Sequence, residues 1–276
     1  MNGIKLKIWD LKMVSESYVR WVLLISLVVF LSPNLSIAEE TKKPRSLDSA
    51  KNLDPGRPKT RFFVRSEFKE DEAGNEVSII SPLYDFPLNS EWSVRLQAPV
   101  VSRNPSLVGN NETGMGDITM RVANKTFVNE GGATWFLALD TTWDTASDVT
   151  LGKGKNRVAP TIFGFIKLPT LGILAFPQMQ TFFTLGGDDN RTDVNFTSVK
   201  FPFIKKLPDR YYLFVDPFVA WDHARDEQST GTIDLEAGRF VNPSMMLYVR
   251  PGNTLWGDNT AFSFKYNIEV GFRLFL

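Results

Sequence analysis

The chain has 276 residues, 31 Lys and Arg against 31 Asp and Glu, a single histidine and no cysteine. Balanced charge excludes a protein built to neutralise nucleic-acid phosphates, and the missing thiols exclude a disulfide framework and thiolate metal sites. Hydrophobic residues make up 43%, too few for a helical membrane protein but compatible with apolar residues that alternate along membrane-crossing strands.

The N-terminus reads as an address. Lys5, Lys7, Lys12 and Arg20 precede the apolar run Trp21 to Leu31, and Ser36-Ile37-Ala38 offers small residues at both cleavage-determining positions. This order predicts a secretory signal peptide over 1–38, with an apolar core too short to span a bilayer. The long basic region makes Met13 an alternative start. Without residues 1–38, which hold four Lys/Arg and two Asp/Glu, 27 positive and 29 negative residues remain. Residues 39–59 contain Pro44, Pro55 and Pro58 and no apolar periodicity, as expected of a flexible periplasmic leader. The folded domain is expected over 60–276.

From Arg61 onward, segments with a period of two follow one another, the signature of strands whose side chains point alternately to opposite faces. In Arg61 to Glu70, Phe62, Val64 and Phe68 oppose Arg61, Arg65, Glu67 and Lys69. Strands are expected next over Val77–Phe86, Glu91–Val101, Gly114–Phe127, Ala133–Trp143, Val158–Leu168, Leu171–Leu185, Asp193–Lys206, Tyr211–Asp222, Gly231–Phe240 and Met245–Arg250. The last, Phe262 to Leu276, is apolar at every even position and mostly polar at the odd ones. Pro99, Pro160, Pro177, Pro202 and Pro217 fall inside these strands, where each removes a ladder donor and calls for a bulge or kink.

The connections alternate in character. PLNS, VNEGG, PT, LPDR and VNPS are short, whereas SRNPSLVGNNET, DTASDVTLGKGKNR, GGDDNRT, HARDEQST and GNTLWGDNT are longer and polar; only DEAGN, after the first strand, is a short member of the second set. An even number of strands with short turns on one side and long loops on the other is the pattern of an outer-membrane barrel. Trp92, Trp135, Trp143, Trp221 and Trp256 lie near strand ends or in loops, where amphipathic rings settle at a membrane interface. The expected fold is all-β: a twelve-stranded antiparallel transmembrane barrel in the outer membrane of a Gram-negative bacterium, in contact with outer-membrane lipid and the outer-membrane assembly machinery.

Alternation also assigns a lumen face. The expected lumen-lining residues are Arg61, Arg65, Glu67, Arg95, Asp117, Arg121, Asp140, Asp234, Glu236, Lys265, Glu269 and Arg273. If the barrel closes, the first and last strands pair and bring their inward charges together across the seam, with the even face of Phe262–Leu276 toward lipid. Such charges either constrict a path for a small-molecule solute or hold the barrel's shape.

Catalytic signals are thin. His223, the one histidine, sits in an expected loop with Ser229 nearby, and no G-x-S-x-G elbow is present. A membrane-embedded hydrolase would need a serine beside His223. Asp188, Asp189, Asn190 and Asp193 lack the spacing and terminal glutamate of an EF-hand. Neither an enzyme, a metal site nor a cofactor is expected.

Gly114-Met115-Gly116-Asp117-Ile118 opens the fourth expected strand after a long polar loop, with Arg121 on the face of Asp117. Glycines there free the backbone where loop becomes strand. In this motif and its place in a signal-bearing chain, the sequence over about residues 75–276 resembles the MetA-pathway of phenol degradation family of outer-membrane barrels. The resemblance implies a porin-like transporter for hydrophobic or aromatic compounds. Leu276 departs from the aromatic residue usual at the end of such strands, although Phe272 and Phe275 are adjacent. The alternative is a closed barrel with a structural or surface-interaction role and no transport.

Overall fold

In the computed structural model, residues 59–105, 111–129, 133–257 and 262–276 are described. The expected signal peptide and all of the expected leader but Lys59 lie outside them.

The described residues form one antiparallel sheet of sixteen segments. In chain order these are β1 (Arg61–Glu70), β2 (Glu76–Pro87), β3 (Trp92–Gln97), β4 (Val100–Asn104), β5 (Glu112–Met115), β6 (Thr119–Val128), β7 (Thr134–Thr142), β8 (Lys155–Leu168), β9 (Ile173–Ala175), β10 (Gln178–Gly187), β11 (Asn195–Lys200), β12 (Phe203–Lys206), β13 (Tyr211–Asp222), β14 (Gln228–Asn242), β15 (Met245–Trp256) and β16 (Tyr266–Phe275). One 3-10 turn, Pro169–Leu171, joins β8 to β9. Four spans are each cut in two: β3 with β4, β5 with β6, β9 with β10, and β11 with β12. The sheet is therefore a closed barrel of twelve spans. β1 pairs with both β2 and β16, from Arg61↔Phe275 to Glu70↔Tyr266. The first and last spans are neighbours, so no open edge is left at the seam.

The cuts have a local cause. Pro99, Pro177 and Pro202 sit at three of them, where the missing N–H would otherwise leave a gap in the ladder. The cuts lie side by side: Gly116 N–H donates to the Pro99 carbonyl (2.8 Å) and Phe176 N–H to that of Pro202 (2.7 Å). Pro160 and Pro217 stay inside β8 and β13, opposite Leu139 and Ile233.

Boundaries differ from expectation most at two places. The expected Met245–Arg250 runs on to Trp256, because Pro251 and Gly252 stay extended and pair with Ile268 and Asn267. A side chain at position 252 would overlap the Asp234 carboxylate, so this glycine serves close approach rather than a turn. The last strand starts at Tyr266 rather than Phe262; Thr254 Oγ1 accepts from Phe264 N–H (2.9 Å) and donates to the Phe264 carbonyl (2.8 Å), which draws that segment out of the sheet.

The described short connections (88–91, 169–172, 207–210 and 243–244) lie at one end of the barrel with Asn129 and Ala133, and 71–75, 143–154, 188–194 and 223–227 lie at the other with Pro105, Asn111, Gly257 and Phe262. The outer wall carries exposed Ile80, Leu96, Leu137, Leu139, Ile162, Met179, Leu213 and Leu235, an apolar belt suited to lipid. Trp92 and Trp135 stand at its short-turn edge and Trp143, Trp221 and Trp256 at its long-loop edge, the two girdles of a membrane barrel.

Candidate functional site: the barrel interior

The interior follows from register. In β1 the odd residues share a face with the odd residues of β16 and β2, and this face carries the charges. On one side, Arg95 donates to Asp85 through Nε (2.6 Å) and Nη2 (2.9 Å). Next to it Arg121 Nε donates to Asp140 Oδ1 (2.7 Å), and Asp140 Oδ2 accepts from Gln180 (2.7 Å) and Thr161 (3.0 Å). Asp140 thus has a donor on each oxygen, as a buried carboxylate requires. Arg61, Asp85, Arg95 and Arg121 border a cavity of about 100 Å³ at the short-turn end.

On the opposite side Arg273 forks onto Glu236 with two bonds of 2.8 Å, the bidentate geometry of a strong pair. Tyr212 O–H also donates to Glu236 (2.6 Å), Tyr248 O–H donates to Glu269 (2.6 Å), and Arg250 bonds Asp216 and Asp234, the latter at 2.9 Å. Gly238 lies opposite Tyr212 and Gly271 opposite Tyr248. A Cβ at either glycine would overlap the ring, so its absence lets each phenol lie across the neighbouring strand and reach its carboxylate. Toward the short-turn end, Ile204, Phe240, Met246 and Phe275 pack against Leu174, Phe176 and Phe214 and fill this side of the interior.

At the long-loop end the 143–154 connection and the segment 262–265 lie at the mouth. In 143–154, Ser147 N–H donates to the Met115 carbonyl (2.9 Å), Lys153 N–H to Asp117 Oδ2 (2.9 Å), Arg103 to the Thr150 carbonyl (3.4 Å), and Arg191 to the Val149 carbonyl. Leu151 is buried beneath it. In 262–265, Phe262 meets Phe196 (4.5 Å between centroids) and Phe218 (5.9 Å), and Phe196 stacks on Phe182 (4.3 Å). Beside these loops opens a cavity of about 540 Å³.

Of the residues expected on the lumen face, Arg61, Arg65, Glu67, Glu269 and Arg273 share the inward register of the seam. Arg95, Arg121, Asp140, Asp234 and Glu236 belong to the networks above, and Asp117 lies in the gap between β5 and β6 beside Arg157 (3.5 Å). Lys265 stands elsewhere: it is exposed and bonds Glu70 (3.0 Å) at the rim, because the strand begins after it. Phe262 and Phe264, expected toward lipid, turn inward for the same reason. The first and last spans pair as expected and bring inward charges together, in a register that alternation does not specify. Glu67 lies opposite Glu269 and Arg273 opposite Phe63; Glu67 bonds Lys69 instead (2.9 Å), and Arg273 reaches away to Glu236. Asp85, Arg250, Tyr212 and Tyr248 were missed by alternation, the tyrosines because an aromatic residue reads as apolar until its hydroxyl has a partner.

His223 bonds Thr197 (2.9 Å) and Glu227 (2.7 Å), with no serine among these partners. In the 188–194 connection, hydrogen bonds from the Asn190 backbone and side chain hold the Asp188 carboxyl below the usual carboxylate range. Among the described residues no group of three His, Cys, Asp or Glu is placed to hold a metal.

No family model matches the chain, and no curated protein does. Solved structures do. The COG4313 outer membrane channel from Pseudomonas putida F1 superposes with a TM-score of 0.64 at 12% identity, over 80% of this chain and 96% of that one. The NanC porin gives 0.57 at 10% identity, over 78% and 100%, and the KdgM porin 0.50 at 8%, over 78% and 98%. At such identities the likeness is one of fold: the chain shares with these proteins a closed twelve-stranded antiparallel barrel.

Proposed function

We propose that this chain is a porin-like channel of the outer membrane that passes small solutes, hydrophobic or aromatic compounds among them. The observation that carries this reading is an interior lined with charged side chains and holding a cavity at each end, in place of a dry core throughout. The likeness to an outer membrane channel and two porins supports it. Phe182, Phe196, Phe218 and Phe262 offer ring faces at the outer mouth, where an aromatic solute would gain about 0.5–1.5 kcal/mol per stacked pair.

We also assign the chain to the MetA-pathway of phenol degradation family as a distant member. Support comes from the motif at 114–118. A side chain at Gly114 would overlap Ser147, one at Gly116 would crowd Val101, and Asp117 receives the Lys153 N–H. The motif is the dock for the 143–154 connection. Phe272 and Phe275 would be the aromatic residues presented to the assembly machinery.

The test is single-channel recording of the purified protein in planar bilayers, with and without aromatic solutes. Openings above background are expected; their absence in both conditions sinks the channel. The second reading, a closed barrel acting through its loops, is favoured by the apolar packing around Phe240, Met246 and Phe275, and would be adopted on that outcome.

A further inference from the structure

The outer cavity is unevenly charged. Arg65, Lys69, Arg103, Lys153 and Arg157 border it against Glu67, Asp71 and Asp117, five cations to three anions. Lys69 is taken by Glu67 and Arg157 leans on Asp117, which leaves Arg65, Arg103 and Lys153 against Asp71, itself hydrogen-bonded by Asn75, an excess of two positive charges. Donors are left over as well. Nε of Arg65 and Nε of Arg157 are buried without a hydrogen-bond partner, against one buried acceptor in the same state, Asp117 Oδ1. The Lys153 ammonium has no hydrogen-bond or ion-pair partner among the described residues, although its backbone N–H is fixed on Asp117. Lys153 is solvent-exposed, yet protein surrounds it closely: burial, with Arg157, Arg225 and Arg103 nearby, holds its ammonium below the ordinary lysine range. A side chain in an enclosed, wettable cavity has both properties. Water can satisfy the loose donors there, but it cannot neutralise the charge excess; an anion does both.

The rest of the wall narrows the class of anion. Ile79, Pro99, Val101, Leu151 and Phe264 face the same cavity, and Leu151 and Phe264 are buried against it. Inorganic phosphate would leave that surface wet. At about 540 Å³ the cavity is of the size that holds small organic ligands.

We propose that the outer cavity is a binding site for a small organic monocarboxylate with a compact apolar body, its carboxylate held by Lys153, Arg157 and Arg65 and its body laid on Leu151 and Phe264. The site would serve as the first station of the channel and rests on that reading for its role, but binding there does not depend on conduction.

The experiment is fluorine NMR of 4-fluorobenzoate with the full chain refolded in detergent micelles, beside uncharged 4-fluorobenzyl alcohol. Saturable binding of the acid, displaced by unlabelled benzoate, is expected, with the alcohol showing only micelle partition. Lys153→Gln and Arg157→Gln should each weaken the acid about ten-fold or more, the loss of one charge-assisted hydrogen bond. Lys153→Arg should retain binding, and Lys205→Gln, the same charge change outside the cavity, should leave it unchanged. Heat-modifiable gel mobility establishes that each variant is folded. Equal binding of acid and alcohol, undiminished binding in both glutamine variants, or no saturable binding by the wild type overturns the site. Binding without conductance would instead overturn the channel and leave the site standing.

Discussion

At the scale of single residues, Glu236 is held by both arms of Arg273 and by the Tyr212 hydroxyl. A buried pair of this kind gives little net stability over an apolar replacement, but removing one partner strands the other. Glu236→Ala should therefore destabilise the barrel by about 3–5 kcal/mol, read as a shift in the urea midpoint of unfolding from lipid vesicles. Removing Arg273 as well should recover part of that loss. Gly238→Ala probes the same site from the backbone side. Its added methyl meets the Tyr212 ring, and overpacking of this kind costs about 1–3 kcal/mol. The same titration should show a loss in that range, and less of it when Tyr212 is also changed to Leu.

Among the elements, the 143–154 connection lies over the mouth on bonds to Met115, Asp117 and Arg103, and on the channel reading it is the element that limits passage. Replacing 145–152 by a short Gly-Ser link should raise single-channel conductance, while far-UV circular dichroism of the barrel stays unchanged. The charge on Lys153 works against this closed arrangement, since burial and neighbouring cations lower its proton affinity. The folded-over loop thus binds fewer protons than the released loop between that lowered value and the ordinary lysine value near 10.4. Raising the pH through this window favours the folded-over state. Long-lived large openings should become rarer as pH rises there, and Lys153→Met should remove the dependence.

Across the whole molecule, closure is the property on which the rest depends. Ser66 lies opposite Val270 on the lipid-facing register of the seam. Opposed antiparallel residues have Cα atoms about 4.5–5.5 Å apart, within the range a disulfide spans. The chain has no cysteine of its own, so a Ser66→Cys, Val270→Cys variant should oxidise to an intramolecular bridge and migrate faster on non-reducing gels. A failure to cross-link in folded protein would place the first and last spans apart and break the barrel.

Period-two alternation and the sorting of short turns from long loops settled the fold class and the span number, and put residues such as Arg121, Asp140 and Glu236 on one face of their strands. The faces follow from the backbone's own repeat within each strand, and the span number from the order of strands and connections along the chain. What the tertiary structure decided is who meets whom. Alternation placed Glu67 and Arg273 on the lumen side but could not see that register sets Glu67 against Glu269 and sends Arg273 to Glu236. It read Phe262 and Phe264 as lipid-facing because it had no means of knowing that Thr254, ten residues upstream of Phe264, would draw that segment over the rim. It showed 143–154 only as one of the longer, polar connections, whereas bonds to Met115, Asp117 and Arg103 lay it over the outer cavity. A strand's faces are written in its own residues; the contacts that shape this interior depend on closure, which only the folded barrel supplies.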